Sequence, residues 1–126
     1  MAKIMLCDDS GTILLMLERK LKEFGHDVVG KAKDGDEGVT VYNKLKPDLL
    51  ILDVTMPNKD GRECLKEIIT HHPSAKIIML TALLEKTVVD ECMSIGAKAF
   101  VSKSNMKDAT FMSDLQNLIT QVLKVA

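Results

Sequence analysis

Short runs of aliphatic residues alternate along this chain with longer stretches in which apolar residues recur every three or four positions. The short runs are residues 4–7, 27–30, 49–52, 77–80 and 99–101, each bounded by charged or turn residues. Their apolarity is mostly continuous rather than alternating. That pattern predicts strands covered on both faces, as in a parallel sheet.

The longer stretches read as helices. Ile13, Leu14, Leu17, Leu21 and Phe24 keep the helical step, with Gly25 placed for a left-handed C-terminal cap. Asp36 is a candidate cap for a second helix carrying Val39 and Tyr42 and stopping before Pro47. Asp60, with Glu63 three residues on, resembles a capping box opening a third helix through Leu65, Ile68 and Ile69, which ends by Pro73. A fourth carries Val88, Val89, Cys92 and Ile95, with Gly96 as its stop. The last shows the stripe Phe111, Met112, Leu115, Leu118, Ile119, Val122 and Leu123, and runs almost to Ala126. Five strand–helix repeats joined by right-handed crossovers give an α/β fold, a doubly wound, five-stranded parallel sheet with five helices on both faces.

Composition narrows this picture. The chain has 126 residues, 46% of them hydrophobic, enough for one core; no linker or low-complexity stretch divides it. A net charge of -1 provides no basic field for nucleic acid. No apolar run is long enough for a membrane span or a signal peptide, so a cytoplasmic location is expected. Cys7, Cys64 and Cys92 are odd in number and lack CxxC spacing, and read as small buried hydrophobes.

The chemistry gathers at the strand ends. In an open α/β sheet, ligands bind beyond the carboxyl ends of the strands. Asp8 and Asp9 follow strand one, Asp53 strand three, Thr81 strand four and Lys103 strand five. Three carboxylates on one edge repel; at about 4 Å each pair costs roughly 1 kcal/mol in water and about 4 at an effective dielectric of 20. A hard cation would relieve that repulsion. Mg2+ suits the site, since it takes a few oxygens, keeps several waters and binds beside phosphate; Mn2+ is an alternative. Lys103 can offset charge and hold a phosphate oxygen. Asp53 lies between the acidic pair and the Thr/Lys pair, placed to attack phosphorus and form an acyl phosphate. Singly, each residue has a duller role. Asp8, Asp9 or Ser10 could cap the first helix, Thr81 the fourth, and Lys103 could be a solvated loop charge. Their recurrence at one sheet edge favours a site.

The ordered set resembles the receiver domains of bacterial response regulators over essentially the whole chain. It consists of Cys7-Asp8-Asp9-Ser10, residues 46–57 ending Leu52-Asp53-Val54-Thr55-Met56-Pro57, Asp60-Gly61, Met79-Leu80-Thr81-Ala82, and residues 96–103 ending Phe100-Val101-Ser102-Lys103. The resemblance implies a (βα)5 flavodoxin-like fold with strand order 2-1-3-4-5 and one receiver domain over residues 1–126 without an output domain. It implies that Asp53 is the phosphoacceptor, served by a histidine kinase. Asp8, Asp9, Asp53 and the backbone carbonyl of Thr55 would hold magnesium. Thr81 would meet the phosphoryl group, Lys103 would pair with it, and Phe100 would be the switch aromatic that turns inward with Thr81. A downstream protein would dock on the face of helix 4, strand 5 and helix 5, where Met93, Met106 and Met112 fall.

Such a domain is expected to be a cytoplasmic monomer that signals by protein contact and is not a turnover enzyme. Chemotaxis, with the flagellar motor switch as candidate target, is the commonest role; a phosphorelay shuttle and a phosphate sink are its rivals. A phosphatase of the haloacid-dehalogenase type would want a second Asp where Thr55 stands, and a flavodoxin-like cofactor binder would not place Asp8-Asp9 at a phosphate loop. A receiver that has lost phosphorylation would not need the full Asp, Thr and Lys set. One departure stands out: Ser104 follows Lys103 where the family usually has proline, often in a cis bond. The stretch before the last helix is also slightly long. Thr55 and Leu83 stand two residues past Asp53 and Thr81, positions that the resemblance implies influence water's access to the acyl phosphate. His71 and His72 fit a helix C-terminus better than a metal site, and His26 reads as a surface turn residue.

Overall fold

The hydrophobic runs resolve, in a computed structural model, into five parallel strands in the order β2-β1-β3-β4-β5, as expected. The structure describes residues 2–82 and 85–124, with the backbone alone at Asn105. In chain order the elements are β1 (Lys3–Cys7), α1 (Gly11–Glu23), β2 (Asp27–Ala32), α2 (Gly35–Leu45), β3 (Leu49–Asp53), α3 (Gly61–His71), β4 (Ile77–Thr81), α4 (Lys86–Ile95), β5 (Ala99–Ser102), a 3-10 turn (Lys103–Asn105) and α5 (Phe111–Lys124). Asp53 and Thr81, expected just beyond their strands, are instead the last residues of β3 and β4.

Strand alternation divides the core into two layers. Met5, Cys7, Leu50, Leu52, Ile77 and Met79 point to one face, where α2, α3 and α4 cover them with Val39, Tyr42, Cys64, Leu65, Ile68 and Cys92. Ile4, Leu6, Leu49, Ile51, Ile78 and Leu80 point to the other, under Leu14, Leu17 and Leu21 of α1 and Leu115, Ile119 and Val122 of α5. The central strands β3 and β4 are buried throughout. The edge strands β2 and β5 are covered only in part, so continuous apolarity overstated their burial.

Capping chemistry sets the helix ends. Ser10 caps α1 through the Ile13 N–H, and Asp60 caps α3 through the Glu63 N–H. Asp34, not Asp36, caps α2. Its Oδ1 accepts from Glu37 N–H at 2.8 Å while the Glu37 carboxylate takes the Lys33 N–H at 2.7 Å. The pair has the Asp-x-x-Glu spacing of a capping box, a signal present in the sequence, with Glu37 reaching one residue past the cap to Lys33. Asp36 is the second residue of the helix, within its first turn. Glu85 flanks α4 and gives it no side-chain cap. Gly25, with φ of 86°, closes α1 in the left-handed region as expected.

Two histidines have more to do than their sequence context implied. His26 is half-buried. Its Nδ1 accepts the Ala2 N–H, which requires the neutral ring to carry its proton on Nε2 and donate to Gln116 of α5. His72 ends α3, hydrogen-bonds Asn43 and stacks obliquely on Tyr42 with centroids 5.2 Å apart. All three cysteines are free and buried, as expected. Leu52 lies in the layer beneath the site and is wholly buried; Leu52→Ala should cost about 2–5 kcal/mol of unfolding free energy in a urea titration.

Candidate functional site

Strand register brings the chemical residues together. Cys7 pairs with Leu52, so Asp8 and Asp53 emerge side by side from adjacent strands. Asp53 pairs with Leu80 and Thr81 with Ser102, so each strand toward β5 presents its polar residue one step further along the same edge. Asp8 is 2% exposed, Asp53 4% and Thr81 1%; they are the only polar or charged residues buried among those described. Asp9 is exposed at the rim.

Lys103 reaches across from β5. Its Nζ lies 2.6 Å from Asp8 Oδ2 and 3.1 Å from Asp53 Oδ1, and its side chain is only 13% exposed. It is therefore an ion-pair partner and not a solvated loop charge. No described peptide bond is cis, so Lys103–Ser104 is trans. The Ser102 hydroxyl accepts the Ser104 N–H and turns the chain into the 3-10 segment. That turn takes up the extra length before α5, and Met106 behind it packs on the α1–α5 layer. The missing proline thus leaves Lys103 in place.

The electrostatics of the pocket are unbalanced. Burial, then the Asp8 charge, push the Asp53 carboxyl up to about 6, against the opposing pull of Lys103. Burial works to lower Lys103, but hydrogen bonding and charge from Asp8 and Asp53 outweigh it and hold the ammonium above its usual range. Asp8 Oδ1 accepts the Ser10 N–H at 2.9 Å. Asp8 Oδ2 is buried without a hydrogen bond of good geometry, and its near neighbour is the Lys103 ammonium at 2.6 Å. Asp8, Asp9 and Asp53 each present one oxygen within 4.8 Å of the others. A buried carboxylate oxygen lacking a hydrogen bond, within an all-oxygen acidic set, is the donor chemistry of a hard divalent cation. The residues fit such an ion.

Thr55 lies just past Asp53 on the β3–α3 loop and is exposed. Gly61 lets that loop fold tightly: a Cβ there would stand 1.9 Å from the Asp53 carbonyl oxygen, and its N–H donates to Val54 at 2.7 Å. Sequence reading missed Gly61's part, although the Asp60-Gly61 pair was legible. Phe100 is half-buried against the layer formed by α2, α3 and α4. Leu83 lies outside the described residues.

An acidic triad with a buried Thr and Lys at the carboxyl edge of a 2-1-3-4-5 sheet defines a phospho-accepting receiver. The family model for the response regulator receiver domain matches residues 4–115, and the chain belongs to that family. It is 37% identical over 101 residues to chemotaxis protein CheY of Thermotoga maritima, covering 80% of this chain and 84% of that protein. It is equally identical over 108 residues to CheY of Listeria monocytogenes, covering 86% and 91%. The receiver domain of T. maritima CheB superposes with a TM-score of 0.89 at 32% identity, covering 98% of this chain and 97% of that one. CheY in a CheX–CheY–BeF3–Mg2+ complex from Borrelia burgdorferi superposes equally well at 28% identity, covering 98% and 90%. The chain is thus a CheY-like response regulator of two-component signalling, a class that works by protein contact. The phosphatase and flavodoxin readings are not favoured. Among the described residues no helix is long and apolar enough to cross a membrane.

The raised Asp53 carboxyl has a consequence for stability. An unfolded chain ionises this group near 3.8 and the folded one only near 6. Its penalty is therefore absent below about pH 4, grows as pH rises to about 6, and is constant above. Without metal, Asp53→Asn should be more stable than wild type by about 3 kcal/mol at pH 7.5. The difference should vanish near pH 4, as read by urea titrations at the two values.

Proposed function

We propose that Asp53 accepts a phosphoryl group from the phosphohistidine of a histidine kinase, within one receiver unit formed by residues 1–126. A carboxylate oxygen of Asp53 attacks phosphorus, the P–N bond breaks as the P–O bond forms, and the departing imidazole keeps the bond's electron pair and takes up a proton. The observation that carries this reading is the Lys103 ammonium 3.1 Å from the Asp53 carboxylate and 2.6 Å from Asp8, both of them buried, with Asp9 exposed beside them. Lys103 holds Asp53 ionised at neutral pH despite its burial and stands ready for an oxygen of the incoming group.

Asp8, Asp9, Asp53 and the Thr55 carbonyl would hold Mg2+, or Mn2+ in its place. When bound, the ion would neutralise equatorial phosphoryl oxygens that the three acids alone would repel. Thr81, buried at the end of β4, would donate its hydroxyl to the phosphoryl group. Its movement would draw Phe100 inward from its half-buried position.

The readout is proposed to run through the α4–β5–α5 face. It is the face beside Thr81 and Lys103, and Met93 is exposed on α4. Relatives named as chemotaxis proteins support a chemotaxis role; a flagellar motor switch as target, a cytoplasmic location and a monomeric domain are proposed along with it. A phosphorelay shuttle or phosphate sink has no observation in its favour, and turnover of an external substrate is not proposed.

Acetyl phosphate with Mg2+ should add one phosphoryl group to the intact chain in a mass spectrum. Asp53→Asn should show no gain. Lys103→Ala should slow the gain roughly ten- to hundredfold. A gain that survives Asp53→Asn, or none in wild type at any Mg2+ concentration, would sink transfer through Asp53.

A further inference from the structure

A backbone carbonyl can be aimed at a metal only by the conformation of the loop that carries it. Thr55 is exposed, so no packing of its own side chain fixes that conformation. The β3–α3 loop, residues 54–60, is instead held by its neighbours. At its start, Val54 is buried, and its carbonyl accepts the Gly61 N–H. Just past Thr55, Met56 is buried with its Sδ 3.6 Å from Cys7 Sγ. The Val54 N–H also donates to the Leu80 carbonyl of β4, Lys59 pairs with Glu67 of α3, and a further set of holds comes from the N-terminus of α2.

Three contacts make that attachment. The Gly35 N–H, on the first residue of α2, donates to the Lys59 carbonyl at 2.8 Å. Asn58 Nδ2 donates to Asp34 Oδ2 at 2.9 Å. Lys59 Nζ lies 3.4 Å from Asp36 Oδ1. Asp34 thus divides its carboxylate, with one oxygen capping α2 and the other holding the loop, and these bonds keep its carboxyl below the usual range. The fit leaves no slack. A Cβ on Gly35 would stand 2.1 Å from the Lys59 carbonyl oxygen, so any side chain there must push the loop away from the helix. Asn58 occupies the left-handed region at φ of 67°, which asparagine tolerates better than most residues.

We propose that the N-terminus of α2 presets the metal's carbonyl ligand, with Gly35 and Asn58 as positioning residues. Neither touches the phosphoryl group or the ion. Both fix the loop before the ion arrives, so the cost of ordering it is not charged against metal binding. Magnesium demands near-ideal octahedral geometry, which makes its affinity sensitive to a loop displaced by a fraction of an ångström. This inference rests on the proposed metal role of Thr55 and extends it to residues on a different element.

The test is calorimetric titration of the full chain with Mg2+ and Mn2+, alongside melting temperature and the Mg2+ dependence of phosphorylation by acetyl phosphate. Gly35→Ala should raise the metal dissociation constant about tenfold or more, as loss of supporting contacts to metal ligands does. Asn58→Gly keeps the left-handed backbone and removes only the amide, so a rise of about threefold is expected. In both, raising Mg2+ should recover most of the lost phosphorylation rate. Asn43→Ala breaks the bond to His72 at the far end of α2; it should lower the melting temperature without moving the metal constant. Should Gly35→Ala fail to fold, Asn58→Gly decides. An unmoved dissociation constant in Asn58→Gly, or a loss that Mg2+ does not recover, would overturn the positioning role while leaving the metal site standing. Absence of metal binding in wild type would overturn both.

Discussion

Two buried carboxylates, a third at the rim and one ammonium meet at a single sheet edge, and the rest of the architecture serves to hold them there. Asp8 and Asp53 are nearly inaccessible, and each depends on Lys103 for its close counter-charge. Removed from solvent, like charges of this kind repel several times more strongly than at a surface. A flexible chain would relieve that by moving the acids apart. The strands do not permit it, because the residues just before the acids, Cys7 and Leu52, are locked in register and buried beneath α2 and α3. Hydrophobic packing thus pins an unfavourable charge arrangement, and the raised carboxyl of Asp53 is its visible consequence.

Such a site responds strongly to added charge. A cation relieves the repulsion, and a phosphoryl group brings anionic oxygens that need both the cation and Lys103. In the proposed function, this local electrostatic change is what biases Thr81 and Phe100 on the neighbouring strands. The two core layers give the change a direction. β3 and β4 are buried throughout and yield little, whereas β5 is covered only in part and α4 has no side-chain cap. The less constrained elements border the site on one side, where the contact surface is proposed to lie.

Glycines set how closely the loops approach the pocket. Gly61 admits the Asp53 carbonyl and Gly35 the Lys59 carbonyl at distances that no side chain would tolerate. Both lie at helix N-termini, where free N–H groups are available to grip a loop. Their importance comes from lacking side chains, which is why a search for chemically active groups passes over them. The trans Lys103–Ser104 link makes a related point. The Ser102 hydroxyl and the 3-10 turn supply a route to the ion pair without proline.

Periodicity in the sequence was enough to place all five strands within two residues and to order the helices between them, since burying apolar stripes on a sheet leaves few alternatives. The same spacing put Asp8, Asp9, Asp53, Thr81 and Lys103 at one edge. It erred at the second helix, where Asp36 reads as a candidate cap but Asp34, with the Asp34–Glu37 spacing of a capping box, is the cap. Asp53 and Thr81 belong inside their strands because ladder hydrogen bonds to neighbouring strands extend that far. Contacts remote in sequence could not be read at all. His26 meets Gln116 ninety positions away, and Asn58 meets Asp34 across two elements. The sequence by itself determined which charges reach the sheet edge, because strand order and polarity are local. Tertiary structure decided how deeply Asp8 and Asp53 are buried, how close Lys103 comes and what fixes the loop beyond Asp53, because those depend on the register between strands that only the packed sheet sets.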